Sequence, residues 1–267
     1  MIPKIIHYCW FGRGDMPELV KKCISSWRTH MPDWEYKLWN EETIAQIFFK
    51  PTSDSSLKGR EEVASQNPSQ NWLDYMPNYV QEAYAAKKYA FVSDYVRLWA
   101  LEREGGLYMD VDFEVYKSFD DLMDKYTAFA GYEGSKKNPV MMGVLAANAH
   151  HPWIQGMMAT YEDRRFVKED GSLDMTPNTG YFYDWMIEQG FVAEGVEKDW
   201  NGVHILPVEY FCPRLTTGEN VRCEHTYCEH KGLHSWSGNG GWKDKVLSIV
   251  SPQMKAKLIK LKRKILG

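Results

Sequence analysis

Basic charge is in short supply in this chain. Lys and Arg number 32 against 36 Asp and Glu, a formal net charge of −4. A general nucleic-acid binder carries a basic face, so this balance argues against one. Long apolar runs are missing too. No stretch of about 18 or more apolar residues occurs, and no transmembrane helix is expected. Met1-Ile2-Pro3-Lys4 runs straight into an apolar, strand-like segment rather than into a basic and then apolar leader, so no signal peptide is expected. Cysteine is sparse and odd in number, at five. Without a secretory leader that fits reduced thiols better than a disulfide framework, and a cytoplasmic location is expected. Internal repeats and low-complexity segments are absent, which excludes a solenoid or a disordered tract.

What is present is an ordinary globular balance, 44% hydrophobic and 25% charged over 267 residues, enough for one large domain with a substantial core. Aromatics are plentiful, with 11 Trp and 16 Tyr; core packing is their default use, stacking on bases or sugars the alternative. The domain is expected over residues 1–250. Ile5 to Trp10 forms a buried first strand closed by Gly12 and Gly14. Pro17 opens a helix with Leu19, Val20, Cys23, Ile24 and Trp27 on one face. A strand follows at Trp34–Trp39, then a helix over Glu41–Phe49 capped by Asn40. This order opens an α/β fold. Residues 51–77 lose periodicity and read as a surface insertion. Tyr84–Lys88 reads as a short helix, Ala128–Tyr132, Val140–Ala147 and Val203–Leu206 as strands, and Thr226–His230 as another. His151-Pro152 begins a helix through Tyr161, and 163–178 reads as loop.

The segment Ser93–Asp112 carries most of the chemistry. Ser93 is expected to cap a helix with Val96, Trp99, Ala100 and Arg103 at helical spacing, ended by Gly105-Gly106. Leu107–Val111 then forms a strand bearing Asp110 and Asp112. Residues two apart on a strand share a side, so the two carboxylates can face one ion. Paired carboxylates suit a hard divalent cation such as Mg²⁺ or Mn²⁺, which points to metal-assisted chemistry on a phosphorylated substrate. The plainer reading is a pair of turn residues, and Asp94 with Arg97 also fits a simple helix-surface ion pair.

Phe91-Val92-Ser93-Asp94-Tyr95-Val96-Arg97-Leu98 followed by Gly105-Gly106-Leu107-Tyr108-Met109-Asp110-Val111-Asp112 resembles the signature of the DxD glycosyltransferases of family 32. These are relatives of yeast initiating mannosyltransferases and clostridial glucosylating toxins. Ile2-Pro3-Lys4-Ile5-Ile6-His7-Tyr8-Cys9-Trp10-Phe11-Gly12 resembles their first strand. Glu209-Tyr210-Phe211-Cys212-Pro213, Thr226-Tyr227, His230 and Ser235-Trp236 resemble late motifs of bacterial capsular-polysaccharide members. The resemblance implies an α/β fold of the GT-A type, with a mixed, mostly parallel central sheet flanked by helices. It also implies retention of anomeric configuration and a divalent metal, Mn²⁺ or Mg²⁺. By the same resemblance Asp94 contacts sugar or ribose hydroxyls, and Arg97 assists at the donor sugar or phosphate. Asp110 holds ribose, donor sugar or metal-bound water; Asp112 ligates the metal. Trp10 stacks on the base, Tyr108 belongs to the donor site, and His230 with Ser235-Trp236 closes over the diphosphate. The family pattern has His-His-aromatic before Ser-Trp, whereas here Lys231-Gly232-Leu233 follows His230 and His234 precedes Ser235. His230 is the first candidate for the metal by alignment and His234 the second.

The expected function is therefore a metal-dependent retaining hexosyltransferase. It would move a sugar from a nucleotide donor to a glycan or lipid-linked glycan in bacterial capsular or lipopolysaccharide synthesis. The donor is a UDP-sugar, with GDP-mannose the alternative, and the step is front-face or through a covalent carboxylate intermediate. Two other classes compete. A metal-dependent phosphodiester hydrolase would need more ligands near Asp112, and a carbohydrate-binding protein would use the aromatics alone. Cys223, His225, Cys228, His230 and His234 crowd together, but their spacing is irregular for structural zinc, and buried thiols and ordinary histidines are expected. Residues 51–77 and 163–190 are expected to shape the acceptor site, with Glu133 and Asn178 as polar candidates near strand ends. From Met254, Leu258, Leu261 and Ile265 share one helical face among Lys255, Lys257, Lys260, Lys262, Arg263 and Lys264. That makes residues 251–267 a basic amphipathic helix, suited to an anionic membrane surface.

Overall fold

Apolar runs bounded by glycine and polar residues become strands, and the 3.6-residue repeats become helices. A computed structural model describes residues 1–49, 72–134 and 140–232. Strand β1 is Ile5–Cys9, helix α1 Glu18–His30, β2 Glu35–Trp39 and α2 Glu41–Phe49. Next come α3 (Asn78–Ala85), α4 (Tyr89–Glu104), β3 (Gly106–Met109), β4 (Phe113–Val115), α5 (Asp120–Lys125), β5 (Ala128–Tyr132) and β6 (Val140–Ala147). The chain continues through α6 (Pro152–Ala159), α7 (Asn178–Glu188), β7 (Lys198–Trp200), β8 (Val203–Leu206), α8 (Val208–Phe211) and β9 (Cys228–His230). Most of the expected insertion, residues 51–71, and the whole tail 251–267 lie outside the described residues.

Seven strands form one sheet in the order β2-β1-β3-β6-β5-β8-β7, and β4 pairs with β9 in a separate ribbon. The β1–β2, β1–β3 and β5–β8 pairs are parallel; β3–β6, β5–β6 and β7–β8 are antiparallel. Five of the seven strands thus run one way, with β6 and β7 reversed. This is the mixed, mostly parallel sheet between helices that the GT-A resemblance implies. β3 and β5 are buried along their whole length, which explains why they read as continuous apolar runs rather than alternation. Helix α4 packs against β1 and β3 and is buried through Phe91, Val92, Val96, Leu98, Ala100 and Leu101. A helix apolar on so many sides belongs inside the domain.

Three helix boundaries differ from expectation. Asn40 caps α2 as expected, its side-chain oxygen accepting from the backbone N–H of Glu42 at 3.0 Å and of Thr43 at 2.8 Å. Ser93, however, lies inside α4, where its hydroxyl donates to the Tyr89 carbonyl at 3.1 Å. The helix starts four residues earlier because Tyr89–Val92 supply buried packing that outweighs the capping preference of serine. The short helix expected at Tyr84–Lys88 is α3, ending at Ala85. Helix α7 begins where the loop expected over 163–178 ends, in a stretch for which no element is expected. Its buried Asn178, Phe182 and Met186 sit four apart, but Gly180 and the aromatic run around it lower intrinsic helix propensity.

The Gly105-Gly106 turn joins α4 to β3 and sets where the Asp pair emerges. Both residues have positive φ, +64° and +118°, which glycine alone adopts at no steric cost. A Cβ on Gly105 would lie 2.6 Å from the Ala149 nitrogen, and one on Gly106 would lie 2.7 Å from the Ile5 carbonyl. The fully buried His7 locks the same turn. Trp39 Nε1 can only donate, and it donates to His7 Nδ1 at 3.0 Å. The proton must therefore sit on Nε2, which donates to the Gly105 carbonyl at 2.8 Å. Burial holds the imidazole below its ordinary value of 6.5. The folded state thus disfavours protonated His7. Its contribution is intact above about pH 6.5 and is lost as pH falls toward the depressed folded value, at about 1.4 kcal/mol per unit of depression. Urea unfolding between pH 8 and 5 should show this loss on the acid side, and His7→Gln, which cannot take up the proton, should flatten that part of the slope.

Candidate active site

The carboxyl ends of β1, β3 and β5 point to one edge of the sheet, the edge at which ligands collect in open α/β folds. Trp10, Asp110 and Glu133 each stand one residue past one of these strands. Asp110 and Asp112 are not on a strand. β3 ends at Met109 and the chain turns, with the Phe113 N–H donating to the Asp110 carbonyl at 3.2 Å. The physical reason is that β4 belongs to the other sheet, so the backbone must leave β3 at this point. The two carboxylates therefore do not share one strand face as expected. Each is held by a different set of neighbours.

The partly exposed Asp110 joins the buried Asp94, Arg97 and Tyr108. Arg97 sits on α4 three residues after Asp94, and its Nη2 donates to Asp94 Oδ1 at 2.8 Å and lies 3.4 Å from Asp110 Oδ1. Its Nε donates to the Ser93 carbonyl at 3.3 Å and its Nη1 to the Met142 carbonyl. The guanidinium also lies over the Tyr108 ring, 4.7 Å from its centroid. The Arg97 side chain is only 6% exposed, so this is a buried clamp and not a helix-surface pair. Nor does its fork extend outward to a phosphate; it holds two aspartates in place. One cation shared by two carboxylates leaves them short of positive charge. Burial, against the pull of Arg97, pushes Asp94 up to about 6 and raises Asp110 as well. Tyr108, expected at the donor, is fully buried behind this cluster and donates its hydroxyl to Asp110 Oδ1 at 2.7 Å.

Asp112 forms the second half with His230, 118 residues away in sequence. The β4–β9 ribbon pairs Phe113 with His230. The Lys231 N–H donates to the Asp112 carbonyl at 2.8 Å, and the His230 ring stacks on Phe113 with centroids 4.7 Å apart. Helix α1 anchors the ribbon: Trp27 Nε1 donates to the Phe113 carbonyl at 2.7 Å, and Ser26 Oγ accepts from the Val115 N–H at 2.9 Å. The outcome is His230 Nε2 at 3.0 Å from Asp112 Oδ2. Burial pulls the imidazole down, but the hydrogen bond and charge of Asp112, with Asp110 and Glu133 beyond, outweigh it and raise His230 to about 9.

This corner fits a divalent cation as a half-site. Carboxylate oxygens with one imidazole suit Mn²⁺, and the oxygens suit Mg²⁺. Among the described residues no group of three His, Cys, Asp or Glu side chains closes on one point. Asp112 and His230, with Asp110 beside them, would hold the ion while phosphate oxygens and water fill the remaining positions.

The other expected residues are dispersed. Trp10 is half-buried at the end of β1 and donates Nε1 to the Gly14 carbonyl at 2.6 Å. His234, Ser235 and Trp236 lie outside the described residues. His225 is exposed and stacks on Tyr210, Cys223 is exposed, and Cys228 is buried with its thiol toward the Phe211 carbonyl. Among the described residues these side chains do not close on one point with His230. Glu133 faces the site, its carboxyl raised by burial and influenced by His230, Asp110 and Asp112. Asn178 is the buried first residue of α7, and its backbone N–H favours the charged form of Asp94. Glu133 and Asn178 were legible only as polar residues near strand ends, since nothing local reveals a contact with α4.

A family model described as a glycosyltransferase sugar-binding region containing the DXD motif matches residues 17–129. Inositol phosphoceramide mannosyltransferase 1 of Schizosaccharomyces pombe is 28% identical over 129 residues, 47% of this chain and 33% of that protein. The chain thus spans about a third of that relative's length. An uncharacterized glycosyltransferase of Acanthamoeba polyphaga mimivirus is 22% identical over 89% of this chain and 84% of its own. Among solved structures, the PaToxG glycosyltransferase is similar at a TM-score of 0.44, with 21% identity and 70% of each chain covered. The span matched by the family model contains Asp94, Arg97, Asp110 and Asp112, so residues 17–129 of this chain are similar to the glycosyltransferase sugar-binding region that carries the DXD motif.

Proposed function

We propose that the chain is a metal-dependent, retaining glycosyltransferase that moves a sugar from a nucleotide-sugar donor to a glycan or lipid-linked glycan. The observation that carries this reading is the junction of two differently built carboxylate sites. One is the Asp94–Arg97–Asp110 clamp, in which Asp94 and Arg97 are buried and Asp110 is partly exposed; the other, two residues on, pairs the buried Asp112 with the partly exposed His230. A bound divalent cation supplies Lewis-acid stabilisation of the departing diphosphate. The chain's own residues do the rest. The clamp fixes Asp94 and Asp110 as rigid acceptors for sugar or ribose hydroxyls, since Arg97 leaves neither carboxylate free to rotate. His230, held beside Asp112 by the β4–β9 ribbon, would supply the imidazole of the cation site. Trp10 offers an indole face at the same edge for the base.

UDP-sugars are the first donors to test. The Schizosaccharomyces pombe relatives are mannosyltransferases by name, which makes GDP-mannose the second. The yeast proteins act on a lipid by the same names, in keeping with a lipid-linked acceptor. We further propose a cytoplasmic enzyme of bacterial surface-polysaccharide synthesis that meets the membrane through residues 254–267. Deleting those residues should abolish binding to anionic liposomes, and unchanged binding removes the membrane part. The function itself is tested by nucleoside diphosphate release from UDP-, GDP-, CMP- and dTDP-sugars with and without Mn²⁺. One nucleotide class should turn over, and only with metal. Glycan binding with no release from any donor would favour a carbohydrate-binding protein instead.

A further inference from the structure

Strand β6 lies between β3 and β5 and is buried at every position except Gly143. The bare α-carbon of Gly143 faces both halves of the candidate site. Its carbonyl accepts from the Asp110 N–H at 2.8 Å, and the carbonyl before it, of Met142, accepts from Arg97 Nη1. A Cβ placed on Gly143 would lie 2.8 Å from Phe113 Cε2, 3.1 Å from Phe113 Cζ and 3.0 Å from Asp110 Oδ2. Asp110 belongs to the clamp with Arg97. Phe113 belongs to the ribbon, where it pairs with His230 and carries its stacked ring. Groups from the two halves therefore rest against one residue that has no side chain.

Glycine serves a fold either through its backbone freedom or through the space it leaves. Gly143 is not among the glycines with positive φ, so its backbone suits other residues and the reason is space. In a strand interior glycine weakens the sheet, having no side chain to pack and more freedom to lose. Such a position marks a close approach by something else; here the approaching atoms are Asp110 Oδ2 and the edge of the Phe113 ring. Neither retreats without consequence. Asp110 Oδ1 is held by the Tyr108 hydroxyl at 2.7 Å, and the Phe113 carbonyl by Trp27 Nε1 at 2.7 Å. Relaxing a 2.8 Å contact to a carbon–carbon separation of about 3.5 Å moves one group by about 0.7 Å. We propose that Gly143 is a positioning residue: by carrying no side chain it lets Asp110 and the Phe113-backed His230 converge, and so sets the spacing between the clamp and the Asp112–His230 pair.

Crystal structures of the wild type and of Gly143→Ala test the spacing directly. The Phe113 ring or the Asp110 carboxylate should move by about 0.7 Å. Both groups in their wild-type places, with β6 itself shifted to make room, overturn the proposal. Phe113→Leu supplies a second test, since leucine lacks the ring-edge carbons that the new methyl would meet. The Tm lost through Gly143→Ala should be smaller in the Phe113→Leu background than in the wild type, and the double variant should fold even where Gly143→Ala alone does not. Equal losses in the two backgrounds, or a double variant that unfolds where Phe113→Leu folds, overturn the contact. The kinetic part rests on the transferase reading. Gly143→Ala, assayed while folded, should lose about tenfold or more in kcat and need more Mn²⁺ for half-maximal turnover, a requirement that a change in stability alone would not move. A shifted site with unchanged kcat and Mn²⁺ requirement would sink the positioning role alone. A shifted site in a protein whose wild type turns over no donor would sink the transferase reading alone.

Discussion

Asp112→Asn is expected to lower sugar-transfer turnover by about 10²–10³-fold, the usual loss when one electrostatic element of a transition-state site is removed. The substitution keeps the shape of the side chain and an oxygen that can accept from His230, so the β4–β9 ribbon stays paired. What it deletes is the negative charge that would hold a cation beside His230. Two signatures should accompany the loss. Donor binding should no longer respond to Mn²⁺. Folding stability should fall by no more than about 3 kcal/mol, the upper range for a hydrogen bond to a charged group. Retention of full Mn²⁺-dependent turnover would show that the metal, if used, sits elsewhere.

Arg97→Met carries the largest expected effect on folding. It fills a similar volume but leaves Asp94 and Asp110 without their shared cation in a site where the Arg97 side chain is 6% exposed. Breaking a buried pair by removing one partner costs about 3–5 kcal/mol because the remaining charge is stranded. The sign of the pH dependence follows from Asp94, already raised to about 6 with Arg97 present. A raised carboxyl favours folding while it is protonated, below its unfolded value near 3.8, and that contribution is lost as pH rises through the folded value. Without Arg97 both carboxyls rise further, so the penalty measured by urea unfolding should be smaller at pH 5 than at pH 8. A penalty independent of pH would mean that Arg97 contributes through packing and its carbonyl contacts rather than through charge.

The parts of the fold legible in sequence are those fixed by local pattern. Ala128–Tyr132, Val140–Ala147 and Val203–Leu206 run as strands with the boundaries their apolar runs suggest, and Asn40 caps α2 by its side chain. The misreadings share one cause, packing from outside the segment. Ser93 has the chemistry of a cap, but α4 begins at Tyr89 because the preceding turn is buried against the sheet. Asp110 and Asp112 have the spacing of a strand, but β4 pairs with β9 more than a hundred residues later and pulls the chain into a turn. The site divides in the same way. The Asp94–Arg97 pair is local, three residues apart on one helix, and its partners could be guessed. Its burial could not, since it depends on β6 supplying the Met142 carbonyl. Tyr108 shows the converse: its motif position suggests a ligand contact, while strand geometry turns it into the core beneath Asp110.

The most direct test of the central claim is calorimetric titration of the wild-type protein with UDP and with GDP, each in the presence of Mn²⁺ and again in EDTA. One nucleotide should bind with Mn²⁺ and lose its measurable heat in EDTA, as expected if Asp112 and His230 supply only part of a coordination shell that the diphosphate completes. Binding of equal strength in EDTA would contradict the account, and so would the absence of binding by either nucleotide to folded protein.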